Sequence, residues 1–96
     1  MTYKDFLTLK DLTKEEILEL ISLAEKVKRN PMKYENSLKR KTLLMLFSKP
    51  SLRTHLSFDI AMYRLGGHAI FYDLHESTLG VKESIKDFSK VISRYA

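Results

Sequence analysis

The chain has 96 residues, of which 44% are hydrophobic and 30% are charged, an ordinary composition for a globular protein. This length provides for one domain with a modest core and is too short for two. The absence of cysteine excludes disulfides, thiolate metal ligands and cysteine nucleophiles. The formal net charge of +5 favours anionic partners, which are either nucleic acids or small anions drawn into a site.

The basic residues are too dispersed to form an obvious nucleic-acid surface. Their densest cluster is Lys39-Arg40-Lys41, which directly precedes an apolar run and is typical of a solvated strand end. The sequence has no aromatic-rich recognition motif and no Cys/His finger. It also has no apolar signal segment at its start and no run of membrane-spanning length. We therefore expect a soluble cytoplasmic protein that binds neither nucleic acid nor membrane.

The first predicted element is a helix that begins after Thr13. Thr13 and Glu16 have the spacing of a capping box, in which each side chain accepts a hydrogen bond from the other residue's backbone. Apolar residues then recur on one helical face, and Asn30-Pro31 ends the pattern. The polar, basic stretch 31–41 is predicted to be a loop.

A strand, a helix and a second strand are predicted next. Residues 42–47 form a continuous apolar run without alternation, which is typical of a parallel strand covered on both faces. A helical pattern follows from Leu52 to Leu65, and Gly66-Gly67 supplies its C-terminal stop. Residues 69–72 form the second apolar run, and residues 73–81 are a polar loop.

The last apolar residues have helical spacing from Ile85 to Tyr95. The alternation of strand and helix predicts an α/β fold, a partial parallel sheet with flanking helices and right-handed crossovers. Ala96 follows an apolar helical position without a Gly, Pro or polar tail. We therefore expect residues 1–96 to be the N-terminal portion of a domain that continues in a longer chain.

The residues best suited to chemistry lie between the first apolar run and the following helix, in the segment from Phe47 to Thr54. Ligands of open α/β sheets bind outside the carboxyl ends of strands, and the N-terminus of a helix favours an anion. Ser51 and Thr54 add hydroxyl donors, and Arg53 adds a planar guanidinium suited to phosphate oxygens. The spacing alone favours an ordinary N-cap and an exposed arginine over a ligand site, and it is not a glycine-rich nucleotide loop.

A second candidate segment is the polar loop at residues 76–84. Thr78 and Lys82 have side chains that can meet an anion, and Gly80 permits a tight bend. Taken by itself, the segment is more typical of a mobile surface loop with an exposed lysine. The spacings of the three histidines match no metal site, so no metal is expected.

In combination, four segments resemble the aspartate/ornithine carbamoyltransferase family. Residues 47–58, Phe-Ser-Lys-Pro-Ser-Leu-Arg-Thr-His-Leu-Ser-Phe, are close to the family's Ser-Thr-Arg-Thr-Arg phosphate signature. The others are residues 6–17, residues 65–71 (Leu-Gly-Gly-His-Ala-Ile-Phe) and residues 79–95, which begin Leu-Gly-Val-Lys-Glu-Ser. These segments cover nearly the whole chain in the family's order. The resemblance implies the carbamoyl-phosphate-binding domain of a carbamoyltransferase.

The resemblance also implies the substrates and the roles of residues. Ser51, Arg53, Thr54 and the backbone N–H of Leu52 would hold the phosphate of carbamoyl phosphate, with Arg53 and Thr54 acting in catalysis. The δ-amine of ornithine would attack the carbonyl carbon, giving citrulline and phosphate in arginine biosynthesis, without a cofactor. Family members are homotrimers or assemblies of trimers, in which Thr78 and Lys82 would reach into the neighbouring subunit's carbamoyl phosphate site.

The identity of the acceptor rests on smaller features. Gly-Gly-His at 66–68 and Gly-Val-Lys-Glu-Ser at 80–84 resemble the branch that uses ornithine. Thr78 departs from the Gln or His usual there, and Leu52 is familiar from enzymes that use acylated ornithine. Aspartate and acylated ornithine therefore remain alternative acceptors. A non-catalytic anion-binding module and a basic nucleic-acid-binding domain remain the rival classes.

Overall fold

A computed structural model of the protein describes residues 5–74 and 85–96. The chain divides between Tyr34 and Glu35 into two compact units, which we call the N-terminal unit and the C-terminal unit.

The N-terminal unit is built on helix α1, Lys14–Arg29. A 3-10 turn, Leu9–Asp11, precedes the helix, and a second one, Pro31–Tyr34, follows it. The predicted capping box is confirmed at the start of α1. The Thr13 hydroxyl accepts the Glu16 backbone N–H at 3.1 Å, and the Glu16 carboxylate accepts the Thr13 N–H at 2.9 Å. Two of the four helix N–H groups that have no helical acceptor are thereby satisfied by the helix's own residues.

The C-terminal unit contains the predicted alternation of strands and helices. Strand β1, Thr42–Phe47, leads to helix α2, Leu52–Arg64, and then to strand β2, His68–Asp73. Helix α3, Ile85–Ser93, follows. The strands are parallel and paired in register, from Thr42 opposite His68 to Phe47 opposite Asp73. The predicted α/β class, with a parallel sheet and flanking helices, is therefore confirmed.

The two faces of this sheet are covered by different helices. Alternate residues of a strand share a face, so Met45 and Phe47 lie on one side of β1. Helix α2 contacts that side through His55, whose ring stacks on Phe71 of β2. On the other side the Tyr72 ring lies 6.1 Å from the Phe88 ring of α3, measured between centroids.

The cover over β1 is less complete than its apolar sequence predicts. Within the described part of the chain, Met45 and Met62 are the buried hydrophobic residues, with 5% and 8% of their surface exposed. Leu46 and Ile70 remain exposed, because in the described part of the chain only the short helix α3 lies against that face. Among the described residues, β1 is thus mostly half-buried, and Leu46 on its outer face is exposed.

Helix α2 ends in the glycine pair that the sequence predicts. The Gly67 N–H donates to the Met62 carbonyl at 2.8 Å and the Gly66 N–H donates to the Tyr63 carbonyl at 3.1 Å, the pattern of a Schellman cap. Gly66 has a φ of +87°, and a Cβ on it would lie 2.5 Å from the Glu35 carbonyl oxygen. Only glycine tolerates both the positive φ and the close carbonyl oxygen, so Gly66 fixes the turn that leads into β2.

Candidate anion-binding site

The candidate site lies where the chain leaves β1 and enters α2. In a parallel pair both carboxyl ends lie at the same edge, and here Phe47 and Asp73 face each other at that edge. Residues 48–51 cross from the end of β1 to the first turn of α2. This topology places the Ser-Lys-Pro-Ser segment at the edge of the sheet where α/β proteins bind ligands.

The N-terminus of α2 keeps its backbone donors available. Ser51 is the N-cap residue, with an extended φ of −153°, but its hydroxyl makes no hydrogen bond to a helix N–H. The first helical hydrogen bond of the turn runs from the His55 N–H to the Ser51 carbonyl at 2.9 Å. The N–H groups of Leu52, Arg53 and Thr54 precede that bond, so the helix itself offers them no acceptor. They form the positive end of the helix dipole.

The two hydroxyls of the segment are held together. The Ser51 Oγ donates to the Thr54 Oγ1 at 2.9 Å. A hydroxyl has one hydrogen to donate, so the Thr54 oxygen accepts here and its own hydrogen can point to a third group. The hydroxyl pair thus presents a donor beside the backbone N–H groups, which is the arrangement that an oxyanion requires.

A cleft of about 240 Å³ opens at the same place. Its lining includes Ser51 and Leu52 from the first turn of α2 and Lys49 from the preceding loop. Asp73 lines it from the end of β2. The cleft therefore combines an ammonium group with a carboxylate, so it can accommodate a ligand that carries both an anionic and a hydrogen-donating end.

Three aromatic rings form the apolar wall of the cleft. The His55 ring stacks on the Phe71 ring, with centroids 4.1 Å apart and planes at 10°. Phe47 meets both rings edge-on, 5.3 Å from Phe71 and 6.2 Å from His55. We call these three residues the aromatic trio. The His55 Nε2 also lies 3.8 Å from a carboxylate oxygen of Asp59, one turn further along α2.

The structure brings together four of the six predicted phosphate-binding residues. Ser51, Leu52, Arg53 and Thr54 occupy the N-cap and first turn of α2. Ser51 and Leu52 line the cleft, whereas Arg53 and Thr54 are not among its lining residues. The other two residues, Thr78 and Lys82, lie outside the residues that the structure describes.

Sequence reasoning missed His55, Lys49 and Asp73 as lining residues of this cleft. A signal for His55 was present, because it lies one helical turn after Ser51 and therefore on the same side of α2. For Asp73 the signal was its place at the end of the second apolar run, since the ends of parallel strands share an edge. Across residues 5–74 and 85–96, no three His, Asp or Glu side chains are grouped to hold a metal ion. No helix in that part of the chain is long and apolar enough to cross a membrane.

The chain is similar to proteins of a known family. The sequence profile described as "Aspartate/ornithine carbamoyltransferase, carbamoyl-P binding domain" matches residues 4–96. The ornithine carbamoyltransferase of Vibrio sp. (strain 2693) is 44% identical to this chain over 93 residues, which are 97% of this chain and 31% of that protein. The chain thus spans about a third of the length of the relative that it matches.

Solved structures show the same relationship. Ornithine carbamoyltransferase from Thermus thermophilus superposes with a TM-score of 0.88 at 37% identity, covering 100% of this chain and 33% of that one. The catalytic subunit of aspartate transcarbamoylase from M. jannaschii gives a TM-score of 0.84 at 41% identity, covering 98% of this chain and 32% of that one. The match extends to relatives named for either acceptor amino acid.

Proposed function

This chain belongs to the aspartate/ornithine carbamoyltransferase family, and we propose that it is the carbamoyl-phosphate-binding domain of an enzyme that carbamoylates ornithine. The observation that carries this proposal is the N-terminus of α2. Unclaimed backbone N–H groups, the Ser51–Thr54 hydroxyl pair and Arg53 meet there, beside a cleft at the carboxyl end of a parallel sheet.

The phosphate of carbamoyl phosphate is assigned to this helix N-terminus. Its oxygens accept hydrogen bonds from the N–H groups of the first turn, including that of Leu52, and from the hydroxyl of Ser51, whose hydrogen turns from the Thr54 oxygen to the phosphate on binding. The guanidinium of Arg53 approaches the same phosphate from the exposed side of the turn and neutralises its charge. Such charge-assisted bonds are about twice as strong as neutral ones.

The carbamoyl group then lies over the cleft, next to Thr54. The neutral δ-amine of ornithine attacks the carbonyl carbon and forms the new C–N bond. The bond from that carbon to the phosphate oxygen breaks, inorganic phosphate leaves, and the attacking nitrogen loses one proton. The Thr54 hydroxyl donates to the carbonyl oxygen while its negative charge grows, and Arg53 stabilises the charge on the departing phosphate. Orientation and electrostatics suffice, so no cofactor takes part.

Ornithine is preferred to the alternative acceptors because of the named relatives. The 44% identical Vibrio protein and the Thermus structure both carry the name ornithine carbamoyltransferase. The aspartate transcarbamoylase of M. jannaschii is 41% identical in the part that matches, so aspartate is the second candidate. We propose that citrulline formation by this enzyme serves arginine biosynthesis in the cytoplasm.

The test is an acceptor comparison with the full-length enzyme. Carbamoyl phosphate is supplied together with L-ornithine, L-aspartate or N-acetyl-L-ornithine, and the carbamoylated products are measured. We expect citrulline from ornithine, with kcat/KM at least about tenfold higher than for the other two acceptors. Preference for aspartate would overturn the acceptor assignment and keep the family chemistry. Absence of all three products, with carbamoyl phosphate still bound, would favour the non-catalytic module.

We also propose that the site is completed by Thr78 and Lys82 of a neighbouring subunit in a homotrimer. This can be tested with Arg53→Ala and Lys82→Ala, each of which should inactivate a uniform trimer. After dissociation and random reassembly of equal amounts, about a quarter of the sites pair an intact Arg53 with an intact Lys82. Activity should return to roughly a quarter of the unmutated level. Remixed protein that remains as inactive as its parents would show that Lys82 does not act across a subunit boundary.

A further inference from the structure

We propose that His55 is a positioning residue for the anion site, and that its stacking on Phe71 sets where the first turn of α2 lies over the sheet. The inference rests on the proposed function, because the alignment that matters is that of the turn with a bound phosphate. It assigns a role to a residue that has no place in the phosphate contacts described above.

The first observation is that each member of the aromatic trio comes from a different element. Phe47 is the last residue of β1, His55 lies in the first turns of α2, and Phe71 is a residue of β2. The ring contacts of 4.1, 5.3 and 6.2 Å close a triangle among the three elements. Three ring contacts fix the distance of α2 from both strands, whereas a single contact would let the helix tilt about that point.

The second observation is that the ring is coupled to the cap through one residue's own backbone. The His55 N–H donates to the Ser51 carbonyl, and Ser51 in turn donates its hydroxyl to Thr54. A displacement of His55 that shifts its backbone N–H therefore also shifts Ser51 and, through it, the Thr54 hydroxyl. The side chain of His55 is 28% exposed, so most of it is held in the interior of the unit.

Charged groups lie around the His55 ring, but they take no part in the three ring contacts. Asp59 approaches the His55 Nε2 from the same helix at 3.8 Å, beyond hydrogen-bonding distance. Lys49 and Asp73 line the cleft from the loop and from β2. The stack on Phe71 is therefore the contact that sets the position of the imidazole over the sheet.

Steady-state kinetics of the full-length enzyme can separate the effect of the stacked ring of His55 from the effect of a charge on it. His55→Leu has similar volume but no flat ring, and His55→Phe keeps the ring without charge. We expect His55→Leu to raise the KM for carbamoyl phosphate about 2- to 10-fold, the equivalent of one aromatic pair, with kcat nearly unchanged. His55→Phe should restore KM to within about twofold of the unmutated enzyme.

A second variant, Phe71→Leu, removes the other partner of the stack and keeps the inference testable if His55→Leu fails to fold. Phe71→Leu should raise KM at least as much as His55→Leu, and the double variant should be no worse than Phe71→Leu alone, because that variant already removes the stack on His55. Additive losses in the double variant would overturn the coupling. His55→Phe as poor as His55→Leu would overturn the ring role in favour of charge.

Arg53→Ala distinguishes this inference from the proposed function. If Arg53→Ala leaves the KM for carbamoyl phosphate unchanged, the phosphate site itself is misplaced. If Arg53→Ala raises KM strongly and His55→Leu does not, only the positioning role fails.

Discussion

The two long helices of this chain begin in the same way in sequence and differently in structure. Helix α1 has Thr13 at its N-cap and helix α2 has Ser51, both hydroxyl residues. Thr13 accepts the N–H of Glu16, three residues on, at 3.1 Å. Ser51 instead donates to the side chain of Thr54, three residues on, at 2.9 Å. One cap is directed to its own backbone and the other to a side chain.

On the proposed function, this difference separates a helix start that serves stability from one that serves binding. In α1 the side chains of Thr13 and Glu16 satisfy orphan donors, so the terminus is complete without a ligand. In α2 the backbone donors of the first turn are left for a ligand, and the hydroxyls are pre-arranged beside them. The residue type at the cap does not distinguish the two cases, whereas the third helical position does, because Glu16 can bond back and Thr54 does not.

The largest effect is expected when the N-terminus of α2 is altered. Arg53→Ala in the full-length enzyme should weaken carbamoyl phosphate binding by about 1.5–3 kcal/mol, the contribution of a hydrogen bond to a charged group. Isothermal titration calorimetry with carbamoyl phosphate measures this loss directly. Unchanged affinity would return Arg53 to the status of an exposed surface arginine.

Lys14→Ala is the matched control for that variant. Lys14 is an exposed cation in the first turn of α1, as Arg53 is in the first turn of α2. Because the α1 terminus has no ligand to neutralise, we expect Lys14→Ala to leave the affinity within experimental error. A comparable loss from both variants would show that only the general positive charge matters.

An intermediate effect is expected when the stability terminus is broken. Thr13→Ala removes the N-cap hydrogen bond of α1 and should lower the free energy of unfolding by about 1 kcal/mol. Urea denaturation followed by circular dichroism gives this value. Thr13→Ser keeps a hydroxyl and should recover most of the loss. A Thr13→Ala protein as stable as the original would mean that the capping box contributes nothing in solution.

The smallest expected effect is the stability change from Ser51→Ala, which sharpens the contrast. Its hydroxyl makes no bond to a helix N–H, so the free energy of unfolding should fall by less than about 0.5 kcal/mol. The same variant should still weaken carbamoyl phosphate binding in calorimetry, since a phosphate contact is lost. A stability loss as large as that of Thr13→Ala would erase the distinction between the two termini.

The sequence predicted the order and type of the elements because the signals for them are local. The capping box at Thr13, the glycine pair at Gly66-Gly67 and the apolar runs each depend on a few neighbouring residues. The parallel pairing followed from the alternation of strand and helix. The same local signals place the candidate anion site between a strand end and a helix start, and that site stays a prediction.

The parts that could not be predicted depend on residues far apart in sequence. The contact between His55 and Phe71 joins two elements whose side-chain directions are fixed only after α2 packs on the sheet. The degree of cover over β1 depends on which chain segments reach its outer face, and the apolar run at residues 42–47 carries no information about them. Arg53 and Thr54 were correctly placed in the first turn, but their absence from the cleft lining follows from side-chain conformation.

The in-register pairing of β1 with β2 has a consequence for how the protein folds. The two strands are joined by a single helical crossover, so their pairing closes only one loop. Parallel strands need a crossover of a dozen or more residues, so this connection is among the shorter ones open to them. We therefore expect the β1–α2–β2 segment to be the folding nucleus, with the amides of β1 around Met45 exchanging most slowly with solvent. The turn proposed to bind phosphate lies inside that segment, so on this proposal the protein assembles its ligand site and its first stable structure in the same step.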